Sequence, residues 1–189
     1  MQFSIQNNGV WSGIVEDKHY FDEKLSQEML VLLKEKSIKD CIDFGCGMGL
    51  YAKFLNDNHI SCDCFDGNPD TAKLTANLCK TLDLSNNFDL NKKYNCVISL
   101  EVGEHIPKEY ENIFIQNITK HIGKLLILSW AIPGQVGNGH INLRSNDYII
   151  SIMKKQELLY DKDLSERLRK SSQLWWFKNT IMVFEKLVI

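Results

Sequence analysis

Three glycines at alternate positions directly follow a short apolar run that contains an acidic residue. The acid is Asp43, and the glycines are Gly45, Gly47 and Gly49. Glycine lets the backbone turn sharply and approach a ligand that any Cβ would push away. A helical pattern then begins at Leu50, in the slot where a dinucleotide fingerprint needs Gly or Ala. The segment therefore predicts a strand, a tight turn and a helix around a nucleoside-type ligand, and it disfavours a nicotinamide-dependent oxidoreductase.

Length and charge narrow the class of protein. The chain has 189 residues, of which 44% are hydrophobic, so we expect a single domain over residues 1–189. The net charge of −2 and the small number of arginines (Arg144, Arg167 and Arg169) disfavour a nucleic-acid partner. No apolar run has the length of a transmembrane helix, and the first thirty residues have no signal-peptide core. We therefore expect a cytoplasmic protein with no membrane contact.

The cysteines show no pattern of a metal or redox site. There are six, and no two are spaced as CxxC. Several fall in predicted strands, where cysteine behaves as a small hydrophobic residue. We therefore expect free thiols and no zinc site.

Helical periodicity and apolar runs alternate along the chain. Helices are predicted over 22–36, 50–58, 108–121, 146–155 and 162–170, and another opens at Pro69. Strands are predicted over 39–44, 60–65, 95–100, 124–130 and 180–186, with short segments ending at Asp83 and near Leu158. This order predicts an α/β fold with a doubly wound, mostly parallel sheet and helices on both faces.

Acidic residues follow the predicted strands, and in such sheets ligands bind at the carboxyl ends. Asp66 ends the second strand, where a carboxylate can accept both hydroxyls of a ribose; Asp-Gly-Asn-Pro from Asp66 is also favourable turn chemistry. Asp83 can accept from an adenine amino group or, equally, cap a helix.

The segment Glu101-Val-Gly-Glu104-His105 follows the next strand. In order and spacing, the D-x-G-x-G-x-G turn, the acid at Asp66 and this E-V-x-E-H segment resemble class I S-adenosylmethionine (SAM) methyltransferases over residues 21–184. The resemblance implies SAM as cofactor, a Rossmann-like seven-stranded sheet with an antiparallel C-terminal strand, and residues 1–37 as a cap. The residues expected to contact SAM are Asp43, Gly45, Cys46, Gly47, Gly49, Asp66, Gly67, Asn68, Asp83 and Glu101.

Methylation of a hydroxyl requires a base or a metal ion. Glu101, Glu104, His105 and His140 offer carboxylate and imidazole ligands that suit Mg²⁺ or Mn²⁺ chelating a diol. The spacing resembles the metal-binding segment of methyltransferases of small-RNA 2′ hydroxyls and of catechol-like quinone precursors, although relatives without metal also carry it. In the metal-free alternative, His140 or His105 is the base, and Glu104, His105 and His140 are the candidate catalytic residues.

Aromatic residues and histidines supply candidates for the pocket wall. Trp130 is predicted to line it, and His19 and Tyr20 are candidates for the acceptor side. Residues 175–177 are expected to pack the sheet, with a stacking platform as the alternative. His121 is expected at the surface end of a helix.

These features predict a SAM-dependent methyltransferase that O-methylates a small hydroxylated acceptor such as a sugar or glycan unit. One alternative is an RNA 2′-O-methyltransferase, which predicts a basic groove. Another is a non-catalytic partner subunit with the same fold, which the intact glycine turn and Asp66 disfavour.

Overall fold

The computed structural model describes residues 3–13 and 19–187, so part of the predicted cap, residues 1–2 and 14–18, lies outside the described residues. The strands are β1 Ser4–Ile5, β2 Trp11–Ser12, β3 Asp40–Phe44, β4 Ser61–Asp66, β5 Lys80–Thr81, β6 Tyr94–Ser99, β7 Ile122–Leu128, β8 Leu158–Asp161 and β9 Met182–Lys186. The helices are α1 Glu23–Glu35, α2 Leu50–Asp57, α3 Thr71–Leu74, α4 Glu111–Lys120, α5 Asn146–Lys155, α6 Lys162–Ser171 and α7 Phe177–Thr180. Among the described residues, no helix is both long and apolar enough to cross a bilayer.

Seven of the strands form one sheet, in the order β5-β4-β3-β6-β7-β9-β8. Strands β5, β4, β3, β6 and β7 pair in parallel, whereas β9 pairs antiparallel with both β7 and β8. This arrangement confirms the predicted mostly parallel sheet with an antiparallel C-terminal strand. The strand order reverses direction between β3 and β6, which is where doubly wound sheets bind their ligands.

Each central strand contributes to two apolar cores because successive side chains point to opposite faces. In β7, Leu125 and Ile127 pack in one core with α1, α2 and α6, while Leu126 and Leu128 pack in the other with α4 and α5. Helices therefore cover both faces, as predicted. Strands buried on both faces appear in the sequence as continuous apolar runs, as the segment 124–130 does.

An N-terminal hairpin precedes the main fold and was not predicted. Strands β1 and β2 pair antiparallel, with Ser4 opposite Ser12 and Ile5 opposite Trp11. The hairpin forms a sheet of its own.

Short elements differ most from the sequence prediction. The helix that opens after Pro69 is only the single turn α3, and β5 ends before Asp83 instead of at it. The helix predicted over 108–121 begins as a 3-10 turn, Lys108–Tyr110, before α4.

His121 is buried, not exposed at a helix end as expected. Its Nδ1 lies 2.6 Å from the Asn117 carbonyl oxygen, and its Nε2 accepts from the Leu90 backbone N–H at 3.0 Å. Its ring also stacks on Phe88. The segment before β6 packs over the end of α4 and thereby covers this histidine.

The expectation of six free thiols is wrong at two positions. Cys64 in β4 and Cys79 just before β5 form a disulfide, with their Cα atoms 4.8 Å apart. The parallel pairing of β4 with β5 brings together cysteines that are 15 residues apart in sequence.

Asp22 joins the start of α1 to the segment that follows α6. Its carboxylate accepts from the backbone N–H of Leu25, Gln173 and Leu174 and from the Ser172 hydroxyl. Burial alone raises the pKa of Asp22, but these hydrogen bonds outweigh burial, so that its pKa lies below the ordinary 3.8. The ionised carboxylate therefore stabilises the fold at neutral pH, and this contribution is lost as the pH falls through the lowered pKa.

We predict that Asp22→Asn lowers the free energy of unfolding by about 2 kcal/mol at pH 7, since charge-assisted bonds to the 172–174 segment are lost. Asparagine can still cap α1, so the loss reports the contact with that segment. Urea denaturation measures it, with Asp161→Asn, the matched cap of α6, as control. Equal stability of the two variants at pH 7 would contradict this role.

Candidate functional site

The glycine turn after β3 is bonded directly to the end of β4. The backbone N–H groups of Gly45 and Cys46 both donate to the Phe65 carbonyl, at 2.8 and 3.0 Å. The Gly47 N–H donates to the Asp66 carboxylate at 2.8 Å. Gly45 has φ +78°, and a Cβ there would lie 2.3 Å from a Val102 methyl carbon. Conformation and space therefore both require glycine at this position.

Asp66 has two structural contacts and faces the cavity. Its other oxygen accepts from the Asn68 N–H at 2.8 Å, and Asp66, Gly67 and Asn68 all line the cavity. The turn that the sequence predicts at Asp66 is therefore present, and the contact of Asp66 with a ribose stays a prediction.

A cavity of about 420 Å³ opens over the glycine turn at the switch point of the sheet. It is bounded by the hairpin, the turns after β3, β4 and β6, the segment 135–140 and residues 175–177. Of the residues predicted to contact the cofactor, those that line it are Asp43, Gly45, Cys46, Gly47, Asp66, Gly67, Asn68 and Glu101.

Gly49 and Asp83 are not among the residues that line the cavity. Gly49 is the N-cap of α2, and a Cβ added there would lie 2.4 Å from the Cys79 sulfur. The Asp83 carboxylate accepts from the Asn8 side chain at 2.8 Å and also from Ser85 and Asn86. In this structure Asp83 therefore holds the hairpin against the main fold.

Asp43 is a buried acid at the edge of the cavity. Burial, reinforced by the charge of Asp66, raises its pKa to about 7. One of its carboxylate oxygens has no hydrogen-bond partner among the described residues. A buried acceptor left in this state is costly unless a ligand satisfies it.

The E-V-G-E-H turn after β6 is held from several directions. Glu101 has φ +53°, an uncommon conformation for a residue with a side chain, and its N–H donates to the Ser129 hydroxyl. Its carboxylate accepts from the Gln135 side chain at 2.6 Å and from the Thr180 hydroxyl at 3.2 Å. Gln135 and Thr180 were not predicted as site residues, because nothing local in the sequence distinguishes them.

Trp130 has a different role from the pocket wall that was predicted. It is fully buried, and its indole N–H donates to the Asn142 carbonyl. A Cβ at Gly103 would lie 2.2 Å from this ring, so Trp130 packs beneath the E-V-G-E-H turn and supports it.

Glu104, His105 and His140 form a cluster of ionisable side chains in the site. One ligand atom from each lies within 4.8 Å of the other two. Glu104 is fully buried, and neither of its carboxylate oxygens has a hydrogen-bond partner of normal geometry in the described part of the chain. Burial, and then the neighbouring Glu101, raise its pKa well above the ordinary value. Glu101 stands outside this group of three, although it was predicted as a fourth metal ligand.

The two histidines have the same tautomer, which is set by the partner of Nδ1. Nδ1 of His105 lies 3.2 Å from the Gly139 carbonyl oxygen, and Nδ1 of His140 lies 3.1 Å from that of Gln135. Because carbonyls only accept, each Nδ1 carries the proton in the neutral ring and each Nε2 keeps a lone pair. Burial, followed by the proximity of His140, lowers the pKa of His105 to about 4. His140 Nε2 lies 3.9 Å from a Glu104 oxygen.

This geometry allows two kinds of chemistry. An imidazole with a free Nε2 can accept a proton from a bound hydroxyl. One carboxylate and two imidazoles also fit a divalent cation, and the Nδ1 bonds to carbonyls are the usual support for histidine ligands.

The N-terminal hairpin of β1 and β2 forms one wall of the cavity. The tip residue Gly9 is seated on the His105 carbonyl, Val10 packs on Gly67, and the Trp11 ring lies edge-on to His105 at 4.9 Å. Trp11 Nε1 is buried with no hydrogen-bond partner among the described residues. The one feature of the sequence that points to a role for this hairpin is Trp11, a single tryptophan in a polar segment.

His19 and Tyr20 both line the cavity, as their candidacy for the acceptor side requires. The His19 ring lies over the glycine turn, where a Cβ on Gly47 would meet it at 2.1 Å.

Solved structures with the same fold include methyltransferases of a sugar and of a porphyrin. The sugar N-methyltransferase KedS8 from Streptoalloteichus sp. aligns with a TM-score of 0.71 at 11% identity, covering 92% of this chain and 90% of that one. Magnesium protoporphyrin IX methyltransferase from Synechocystis PCC 6803, with bound SAH, aligns with a TM-score of 0.63 at 17% identity, covering 85% and 80%. The methyltransferase domain of bacterial CtHen1-C aligns at 0.62 and 13%, covering 87% and 98%. No curated protein sequence matches the chain.

The family model of the methyltransferase domain matches residues 18–161, which include the glycine turn, Asp66 and the whole Glu104, His105 and His140 cluster. This range covers most of the chain. The chain therefore belongs to the methyltransferase-domain family, as a SAM-dependent methyltransferase of class I.

Proposed function

We propose that this methyltransferase transfers the methyl group of SAM to a hydroxyl of a small polyhydroxylated acceptor, a sugar or glycan unit. The observation that carries the proposal is the pair of imidazoles, His105 and His140, that line the cavity over the glycine turn, with the fully buried carboxyl group of Glu104 beside them. Such a cluster can take a proton from a hydroxyl, whereas methylation of an unprotonated amine requires no proton acceptor before transfer.

On the donor side, Asp66 is assigned to the ribose hydroxyls and the glycine turn to the body of SAM. The partnerless oxygen of Asp43 supplies an acceptor for the cationic donor. The acids that surround this space favour a positively charged ligand, because each of them is less costly to bury beside a cation.

On the acceptor side, the hydroxyl oxygen must lie about 3 Å from the methyl carbon, in line with the C–S bond. The hydroxyl proton passes to an imidazole Nε2, an oxygen lone pair forms the C–O bond, and the C–S electrons return to sulfur as a neutral thioether. The lowered pKa of His105 makes it the weaker proton acceptor, so the base is assigned to His140. An oxygen of Glu104 lies 3.9 Å from His140 Nε2. Its carboxyl group ionises more readily beside the imidazolium that forms, and the ionised form stabilises that cation.

The same residues fit a resident Mg²⁺ or Mn²⁺ ion, which Glu104, His105 and His140 would hold. Such an ion would lower the pKa of the acceptor hydroxyl and orient a vicinal diol.

A sugar acceptor is favoured over RNA by the charges of the chain. Each arginine has a partner within the protein: Arg144 pairs with Glu111, Arg167 with Glu28 and Glu35, and Arg169 donates to the Ile181 carbonyl. Among the described residues that line the cavity there is neither an arginine nor a lysine, so the cavity has no cationic side chain for a phosphate. Two of the solved structures with this fold are a sugar N-methyltransferase and an amino pentose methyltransferase.

The test is a methyl-transfer assay with SAM and four acceptors: a methyl glycoside, an amino sugar, catechol and an RNA oligonucleotide. Each is assayed as purified, with EDTA, and with Mg²⁺ or Mn²⁺ restored. We expect transfer to a sugar hydroxyl. Transfer to the amino sugar nitrogen alone, or to RNA alone, would contradict the proposal, and loss of activity with EDTA that metal restores would assign the cluster to a metal ion.

We predict that His140→Ala lowers kcat at least 100-fold while the Kd for SAM changes less than about threefold, as removal of a general base does. Calorimetry measures the Kd and the transfer assay measures kcat. The control is His59→Asn, an exposed histidine with φ +67°, a conformation that asparagine tolerates. An unchanged kcat in His140→Ala would remove His140 from the mechanism.

We predict that Asp66→Ala weakens SAH binding at least about 100-fold, because two charge-assisted bonds to ribose and the anchor of the Gly47 N–H are lost together. Titration calorimetry with SAH measures this change. Asp70→Ala, four residues away and not among the cavity residues, is the matched control. Wild-type affinity in Asp66→Ala would show that the ribose lies elsewhere.

A further inference from the structure

The cavity is small for a site that must hold both donor and acceptor. Its volume of about 420 Å³ lies near the lower end of the range of roughly 300–1,000 Å³ that single-ligand pockets span. Once SAM occupies it, little space remains around the Glu104, His105 and His140 cluster. Any acceptor larger than a single ring therefore extends through the mouth of the cavity.

Aromatic side chains stand at this mouth. Tyr20 is 63% exposed and Trp175 is 58% exposed, and both line the cavity together with Trp176. The Trp176 ring contacts the other two edge-on, at centroid distances of 5.6 Å from Tyr20 and 5.7 Å from Trp175. We call these three residues the aromatic rim. Exposed aromatic surface grouped around a pocket is typical of a binding surface.

The rim is held by rigid connections on both sides. Asp22, two residues after Tyr20, accepts from the N–H groups of Gln173 and Leu174, which immediately precede the tryptophans. Beyond the rim, the hydroxyl oxygen of Thr180 lies 3.0 Å from the Trp176 carbonyl oxygen and 3.2 Å from the Glu101 carboxylate, so its one O–H is shared between these two acceptors. The rim is thus fixed relative to the E-V-G-E-H turn before any ligand binds.

Resting on the proposed function, we infer that the aromatic rim is a second acceptor subsite, and that it stacks a sugar ring next to the one being methylated. The acceptor is then a disaccharide or longer glycan. Aromatic faces pack well against the apolar faces of sugar rings, and the small cavity admits only the terminal ring beside SAM.

Nucleobases would also stack on such a surface. No lysine or arginine is among the described residues that line the cavity. This argues against an RNA strand there, because a single-strand site combines its stacking platform with free cationic groups along the backbone. RNA is therefore a separate outcome of the test.

The test uses the full-length protein saturated with SAH on a defined array of mono-, di- and trisaccharides, with an RNA oligonucleotide arm. We expect at least one di- or trisaccharide to bind about tenfold more tightly than its terminal monosaccharide. In Trp175→Ala and in Tyr20→Ala we expect the longer sugar and its terminal monosaccharide to bind with about equal Kd, because a ring-stacking contact is lost. Both side chains are mostly exposed, so the variants keep the fold.

The control is Leu159→Ala, an exposed apolar residue of β8 that is not among the cavity residues; it should keep the full advantage. Equal binding of monosaccharides and longer sugars, no binding of any sugar, or a preference for RNA would overturn the inference. Calorimetry with SAH on each variant separates the two proposals. If the wild-type protein methylates a sugar and Trp175→Ala has no effect on sugar binding, only the subsite is ruled out. If the wild-type protein does not bind SAH, the proposed function itself is ruled out.

Discussion

The site depends on the contact between the glycine turn after β3 and the end of β4. Two N–H groups of the turn donate to the Phe65 carbonyl and a third donates to the Asp66 carboxylate. These bonds direct the turn away from the sheet and open the cavity at the point where strand order reverses. One carboxylate therefore shapes the turn and also faces the cavity. Local chain geometry therefore forms the cavity without a ligand.

Acidic residues lie in and behind the wall of the cavity: Asp43, Asp66 and Glu101 line it, and Glu104 is buried next to His105. Burial is the largest cause of the raised pKa values of Asp43, Glu101 and Glu104. Burying such groups opposes folding unless something compensates for them. A cationic sulfonium and a protonated imidazole or metal ion are compensations that the proposed reaction provides. The free energy that these buried acids cost the ligand-free protein is therefore consistent with a site that binds positive charge.

The sequence was most informative where function depends on backbone geometry. The glycine turn, the acid that ends β4 and the E-V-G-E-H turn are local patterns, and their strands bring them to one edge of the sheet. The convergence of His140 with Glu104 was also predicted, because the loop after β7 must lie beside the turn after β6 in a parallel sheet.

Features that depend on contacts distant in sequence were missed or misassigned. The hairpin over the cavity, the Cys64–Cys79 disulfide and the burial of His121 arise from packing between segments whose own sequences are unremarkable. Trp130 shows the same limit, since its position at the end of β7 suggested a pocket wall, whereas Gly103 leaves space for it to pack beneath the turn.

The decisive measurement is a crystal structure of the protein with SAH. We expect the ribose hydroxyls within hydrogen-bond distance of the Asp66 carboxylate, the chain of SAH over Gly45 and Gly47, and its sulfur facing the cluster of Glu104, His105 and His140. Density for SAH at another surface, or a glycine turn that remains closed by its own neighbours at saturating SAH, would contradict this placement of the donor.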